Sequence, residues 1–152
     1  MFVVHDRGEV RVIIRSGTSR AASAQQAVLE ATSSFLADRV PDLLLVFSST
    51  QQDPHEVARA LRERFPGVSM AGCMTAGAQV DREHLDGVLV VSALYTPEVQ
   101  WSVCSARDLS SFDAKRAESI ASSMLAGARL TRDMVSASKQ FCLMFIDGLS
   151  RS

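Results

Sequence analysis

Three short stretches close apolar runs with side chains that chemistry could use. They are Ser48 and Ser49 in "VFSST", the group Gly72, Cys73, Thr75, Ala76 and Gly77 in "AGCMTAG", and Asp147, Gly148 and Ser150 in "FIDGLS". Between them they offer hydroxyls, one thiol, one carboxylate and the backbone N–H groups of glycine-bearing turns. Such a set suits a small polar ligand, with Asp147 meeting an amine and the N–H groups near Gly72 and Gly77 meeting a carboxylate. Cys73 admits a second chemistry, that of a cysteine-dependent hydrolase or transferase, which requires a base and an oxyanion hole. His5, His55 and His84 stand in no recognisable catalytic motif. As a small residue where a buried strand ends and the backbone turns closely, Cys73 needs no partner. Asp147 beside Gly148 reads equally as a ligand group and as an Asx turn.

These stretches need elements to position them. Residues 43–47, "LLLVF", are apolar on both faces, as an interior strand covered on each side would be. "DPHE" then supplies Asp53 as N-cap, Pro54 at the first helical position and Glu56 to close a capping box. Val57, Ala58, Leu61 and Phe65 give the helix an apolar stripe, and Pro66 and Gly67 stop it before a strand over 68–73. Strand, helix and strand form a βαβ unit with parallel strands, so "FSST" and "CMTAG" emerge at one sheet edge, where ligands of α/β sheets bind. A final strand over 141–146, if parallel, brings "DGLS" to the same edge.

Elsewhere, residues 9–15 alternate with Val10, Val12 and Ile14 on one side, the pattern of a half-buried strand, and "RSGTS" reads as the turn after it. Ala24, Val28, Ala31 and Phe35 mark a helix ended by Pro41, with Ser23 and Gln26 as a capping box or Ser19 as an earlier cap. Residues 87–95 and 99–105 read as an antiparallel hairpin turning at "TPE", carrying Tyr95 and Trp101. Ala114, Ala117, Ala121 and Met124 mark a third helix, opened by Ser110 or Ser111 and ended near Gly127. The predicted class is α/β: a mixed sheet containing a βαβ unit and an antiparallel hairpin, with helices packed on it.

The 152 residues suit one domain, and 16 basic against 17 acidic residues leave a net charge of −1, with neither sign in a block. That balance argues against a nucleic-acid or anionic-membrane partner. No apolar run approaches the ~20 residues of a membrane span, and the N-terminal stretch is broken by charges, so the expectation is a cytoplasmic protein. Cys73, Cys104 and Cys142 are widely spaced, with no C-x-x-C pair, which points to free thiols rather than disulfides or zinc. Met70 and Met74 read as packing residues. The apolar run at 141–146 stops six residues before the chain does. A strand of that kind wants neighbours, so a longer parent chain or a homodimer is expected.

The series from "PDLLLVFSSTQQDPHEVARALRERFPGVSMAGCMTAGAQV" through the apolar hairpin to "FCLMFIDGLS" resembles the N-terminal part of FIST domains, from about residue 8 to residue 150. The resemblance implies one FIST-N-like domain, part of a longer sensory protein. It implies a cytoplasmic module of bacterial signalling that binds small ligands such as amino acids. Its output partner would be a histidine kinase, a diguanylate cyclase or a chemotaxis receptor. No cofactor is expected for this chain; some relatives look like haem-binding nitric-oxide sensors, so the resemblance leaves haem as the alternative. Carried over by position are Gly72, Cys73, Thr75, Ala76 and Gly77, with Asp147, Gly148 and Leu149. The chain departs from the family pattern at Met74, where a serine is usual, and at Ala78, where an acid is usual, which implies a pocket less polar than that of its relatives, or one no longer used.

Overall fold

A computed structural model of the chain describes residues 12–80, 83–106, 111–136 and 139–145. The chain divides into two compact units, one over Val12–Thr96 and the other comprising Met1–Arg11 and Pro97–Ser152.

The first unit is built on a sheet of four strands: β1 (Ile13–Ser19), β2 (Leu43–Ser49), β3 (Ser69–Thr75) and, later in the chain, β6 (Leu89–Tyr95). A separate two-stranded hairpin joins β4 (Ala78–Val80) to β5 (Glu83–Leu85). Helices α1 (Ala24–Ala31) and α2 (Pro54–Arg64) follow β1 and β2. The strand order is β1-β6-β2-β3. β2 and β3 are parallel, with Phe47 opposite Cys73, and β6 runs antiparallel to both of its neighbours. The βαβ unit thus forms as its apolar run, cap and Pro-Gly stop predict.

One face of the sheet carries both helices. Leu44, Leu89, Val91, Ala93 and Tyr95 pack there against Ala27, Val28 and Ala31 of α1 and Val57, Ala60 and Leu61 of α2, with Val46 and Met70 at the margin. Burying each valine or leucine side chain among them contributes about 1.5–3 kcal/mol before the entropy of ordering it. Phe35 and Phe65, just past the two helix ends, close the layer with ring centroids 5.8 Å apart. Tyr95 is fully buried, and its hydroxyl accepts a hydrogen bond from the Leu36 N–H at 3.1 Å.

Four expectations are corrected. The first strand lies at Ile13–Ser19, taking in the stretch predicted as a turn; Val12 and Ile14 are 49% and 53% exposed, while Ile13 packs on the core. Val10 lies outside the described residues. The reason for the shifted register is Gly17: a Cβ there would stand 2.1 Å from the Ala31 carbonyl oxygen, so α1 seats on β1 through the missing side chain. Second, the hairpin over 87–105 does not form. β6 lies between β1 and β2, both of its edges are paired, and residues 99–106 are irregular. Among the described residues the antiparallel hairpin is β4–β5, in a stretch to which the sequence pattern assigned no strand. Third, residues 141–145 are not a strand, and Phe141, Leu143 and Met144 are exposed. With these side chains exposed, the run does not have the covered faces that a continuously apolar strand requires. Fourth, α1 stops at Ala31, well before Pro41: the Thr32 hydroxyl turns back to donate to the Val28 carbonyl at 2.7 Å, and the chain leaves the helix there.

In the second unit, α3 (Ala114–Gly127) starts from Asp113 rather than from a serine, the Asp113 carboxylate accepting the Arg116 N–H at 2.7 Å. Met124, Ala128 and Leu130 form its small core, with Cys104, Ile120 and Leu125 packed against them. Trp101 meets the Phe141 ring edge-on at 6.0 Å.

Candidate functional site

Because β1 and β2 both run antiparallel to β6, and β3 runs parallel to β2, the three strands point the same way. Their carboxyl ends, Ser19, Ser49 and Thr75, therefore reach one edge of the sheet. The turns into α1 and α2 start there, so two helix N-termini share that edge. This is the edge where open α/β sheets bind ligands. β1 belongs to it only because the strand extends to Ser19.

The register sorts the predicted residues onto two faces. Ser48 and Gly72 lie on the helix-bearing face, in line with Leu44, Val46 and Met70. Ser49, Cys73 and Thr75 lie on the opposite face, where Ser49 is the register partner of Thr75. The sheet thus separates the two serines. Ser49 is buried; its N–H donates to the Val88 carbonyl and its Oγ accepts from the Gln51 N–H, both at 3.1 Å. Gly72 is inside β3 rather than in a turn, and a Cβ there would stand 1.7 Å from the Val46 carbonyl oxygen. Thr75 holds the bend at Ala76 and Gly77: its hydroxyl donates to the Gly77 carbonyl and accepts the Gly77 N–H at 3.3 Å. That N–H, expected to meet a ligand carboxylate, already has a partner. Asp147, Gly148 and Ser150 lie outside the described residues.

Cys73 is exposed and is followed by two further strand residues, so the tight position belongs to Gly72 and not to the cysteine. His55 is on α2, which packs on the helix-bearing face, so the sheet lies between it and the Cys73 side chain. His5 and the His84 side chain are not among the described features. Met70 packs on the core, whereas Met74 is 49% exposed. Among the described residues no group of three His, Cys, Asp or Glu gathers to hold a metal ion.

The helix-bearing side of the edge holds both helix starts, together with Glu30 and Gln52, which sequence reasoning did not single out. α2 is capped by Asp53, whose carboxylate accepts the His55 N–H at 2.8 Å; Glu56 pairs with Arg59 instead of closing a capping box. α1 has no such cap: Ser23 occupies the N-cap position without a side-chain hydrogen bond, and its first turn contains no acid. Gln26 reaches forward to Glu30 at 2.8 Å rather than back to Ser23. The Ser19 hydroxyl donates to Glu30 at 2.5 Å and accepts the Ala21 N–H at 3.0 Å, tying the β1–α1 turn to the helix it starts. The Ser19 hydroxyl, and then the Gln26 amide, hold the Glu30 carboxyl below the usual range, against a small opposing effect of burial.

Gln52 bridges the two turns. Its Nε2 donates to the Ala21 carbonyl at 3.3 Å, while its Oε1, buried, has no hydrogen-bond partner. The residue is 8% exposed. The sequence carries a faint signal for it, a glutamine one position before a strong N-cap at a strand end. Its burial depends on β1 reaching the same edge, which hydropathy does not reveal.

The FIST N domain family model matches residues 42–152, most of the chain, and the chain belongs to that family. The family is one of sensory modules that bind small ligands in signalling. The comparison with curated proteins finds no match. Among the described residues, no helix is long and apolar enough to cross a membrane.

Proposed function

We propose that this FIST N domain is a non-catalytic cytoplasmic sensor of amino acids or related small polar metabolites, working in a bacterial signalling protein. The observation that carries the reading is the convergence of three strand ends and two helix N-termini on one edge of the sheet. An edge of that kind presents N–H groups and polar side chains to a small ligand without needing a nucleophile. The exposed position of Cys73, with His55 across the sheet, supports binding over cysteine catalysis. A histidine kinase or a diguanylate cyclase is the output partner that fits a sensory module of this family.

A thermal-shift screen of the twenty amino acids and small carboxylates tests the reading. A ligand that binds only the folded chain raises Tm by mass action, adding about 2.7 kcal/mol at a concentration of 100 Kd. A saturating rise with at least one of these compounds is expected. A flat response across the set refutes amino-acid sensing.

A further inference from the structure

We propose that the turn between β1 and α1, with Gln52 beside it, is the binding site for a small carboxylic acid bearing an ammonium or hydroxyl group on the neighbouring carbon. The inference deepens the sensory reading by naming the site and the ligand's pharmacophore, and it rests on that reading.

Two observations made independently of each other meet at this turn. The first is the uncapped N-terminus of α1. The first turn of any helix has N–H groups with no intrahelical acceptor, and they carry the positive end of the dipole. At α2 the Asp53 carboxylate already occupies that position. At α1 Ser23 makes no cap bond and no acid lies in the first turn, while Arg20 stands exposed just before it. A ligand carboxylate can do for α1 what Asp53 does for α2.

The second observation is Gln52. A buried carbonyl oxygen without a donor is costly, and native structures retain one where a water, an ion or a ligand completes it. The Nε2–Ala21 bond fixes which end of the amide is which, because only the NH2 end can donate to a carbonyl. It also anchors the amide on the β1–α1 turn, so the unpartnered Oε1 lies beside the turn that leads into the uncapped helix. Oε1 accepts and cannot donate, so it selects a ligand N–H or O–H. Ser48 adds a buried hydroxyl on the same face of the sheet. The acceptor and the N–H groups together ask for a donor and an anion close together in one small molecule. An α-amino acid or an α-hydroxy acid has that arrangement. A simple carboxylate lacks the donor, and a simple amine lacks the anion.

The test titrates the full chain with L-alanine, L-lactate, acetate and ethylamine, following Tm and the backbone amide resonances of residues 20–26. Alanine or lactate is expected to bind at least tenfold more tightly than acetate and ethylamine, with the largest shifts at Ala24, Gln25 and Gln26. Gln52→Met, which keeps the length and removes the acceptor, is expected to lose at least tenfold in affinity. Ser23→Asp is expected to raise the Tm of the unliganded chain, by capping α1, and to weaken binding at least tenfold, by occupying the anion's place. Those opposite signs separate loss of the site from loss of the fold. If a probe binds but both variants bind it as the wild type does, or the shifts fall at Ser49 and Thr75, the site is elsewhere: this inference fails and the sensory reading stands. If none of the four probes binds the wild type, the inference fails, and the wider amino-acid screen decides the sensory reading on its own.

Discussion

Gly17→Ala tests the seating of α1 on β1, on which the β1–α1 turn depends. The added Cβ would lie 2.1 Å from the Ala31 carbonyl oxygen and 2.9 Å from its carbon. That is about 1.3 Å short of ordinary van der Waals contact with the oxygen, and both obstructing atoms are backbone, so no rotamer relieves the clash. Either α1 lifts or β1 bends. Overpacking of this kind costs about 1–3 kcal/mol, partly offset by about 0.4–1 kcal/mol from the stiffer unfolded chain. A net loss of about 1.3 kcal/mol in a unit of this size lowers Tm by about 5–10 °C. Thermal and urea unfolding followed by circular dichroism measure it, with an unchanged urea m-value showing that the unfolding reaction is the same. Were Gly17 in open space, the same substitution would stabilise the protein. A Tm at or above that of the wild type therefore refutes both the close approach and the register that produces it.

Three further outcomes follow from the same geometry. Ile14→Thr is expected to change stability by less than about 0.5 kcal/mol, whereas Ile13→Thr should cost about 1–2 kcal/mol; equal costs in urea unfolding would overturn the register of β1. Asp53→Ala removes the acceptor of the His55 N–H and should cost about 1 kcal/mol, with Asp53→Asn restoring most of it, as read from the urea midpoint. Glu30 has its folded pKa depressed, so its contribution is fully present above its unfolded value, near 4.3, and is lost as pH falls through the lower folded value. Ser19→Ala should bring the Glu30 pKa upward in an NMR titration and flatten that acid-side loss; an unmoved titration would show that the Ser19 bond does not form in solution.

The βαβ unit was legible because each of its signals is local. An apolar run, an Asp-Pro cap and a Pro-Gly stop place strands over 43–47 and 68–73 around a helix from Pro54 without reference to the rest of the chain; both strands run two residues further, to Ser49 and Thr75. β1 was not legible in the same way. In residues 10–14 apolar side chains stand at even positions, but an odd one, Ile13, is the residue that packs inward. The decision between the two faces is made by the docking of α1 at Gly17, a tertiary contact that hydropathy does not encode. The hairpin expected after β6 failed for a related reason. Proximity in sequence favours a partner at 99–105, but β6 gives one edge to β1, some 75 residues earlier, and the other to β2. Of the candidate site, the sequence identified the strand ends after β2 and β3 and missed the third, with Gln52 and the uncapped helix beside it.

That missed end changes how a ligand could be sensed. The Thr75 hydroxyl bonds both polar backbone groups of Gly77, and Asp53 takes the His55 N–H at the start of α2, so a ligand arriving there finds fewer groups left to complete. The β1–α1 turn differs, because its helix is only eight residues long and enters without a cap. A helix so short owes its stability to packing and to its ends rather than to its own hydrogen bonds. A ligand acts on a protein by binding one state better than another, and the state in which α1 is fully wound is the one that presents N–H groups to an anion. The opposite end of α1 rests on Gly17 in β1, and its flank packs against α2. Tightening of α1 by a bound acid would therefore be felt in the first strand and in the neighbouring helix together, without any movement of β2 and β3.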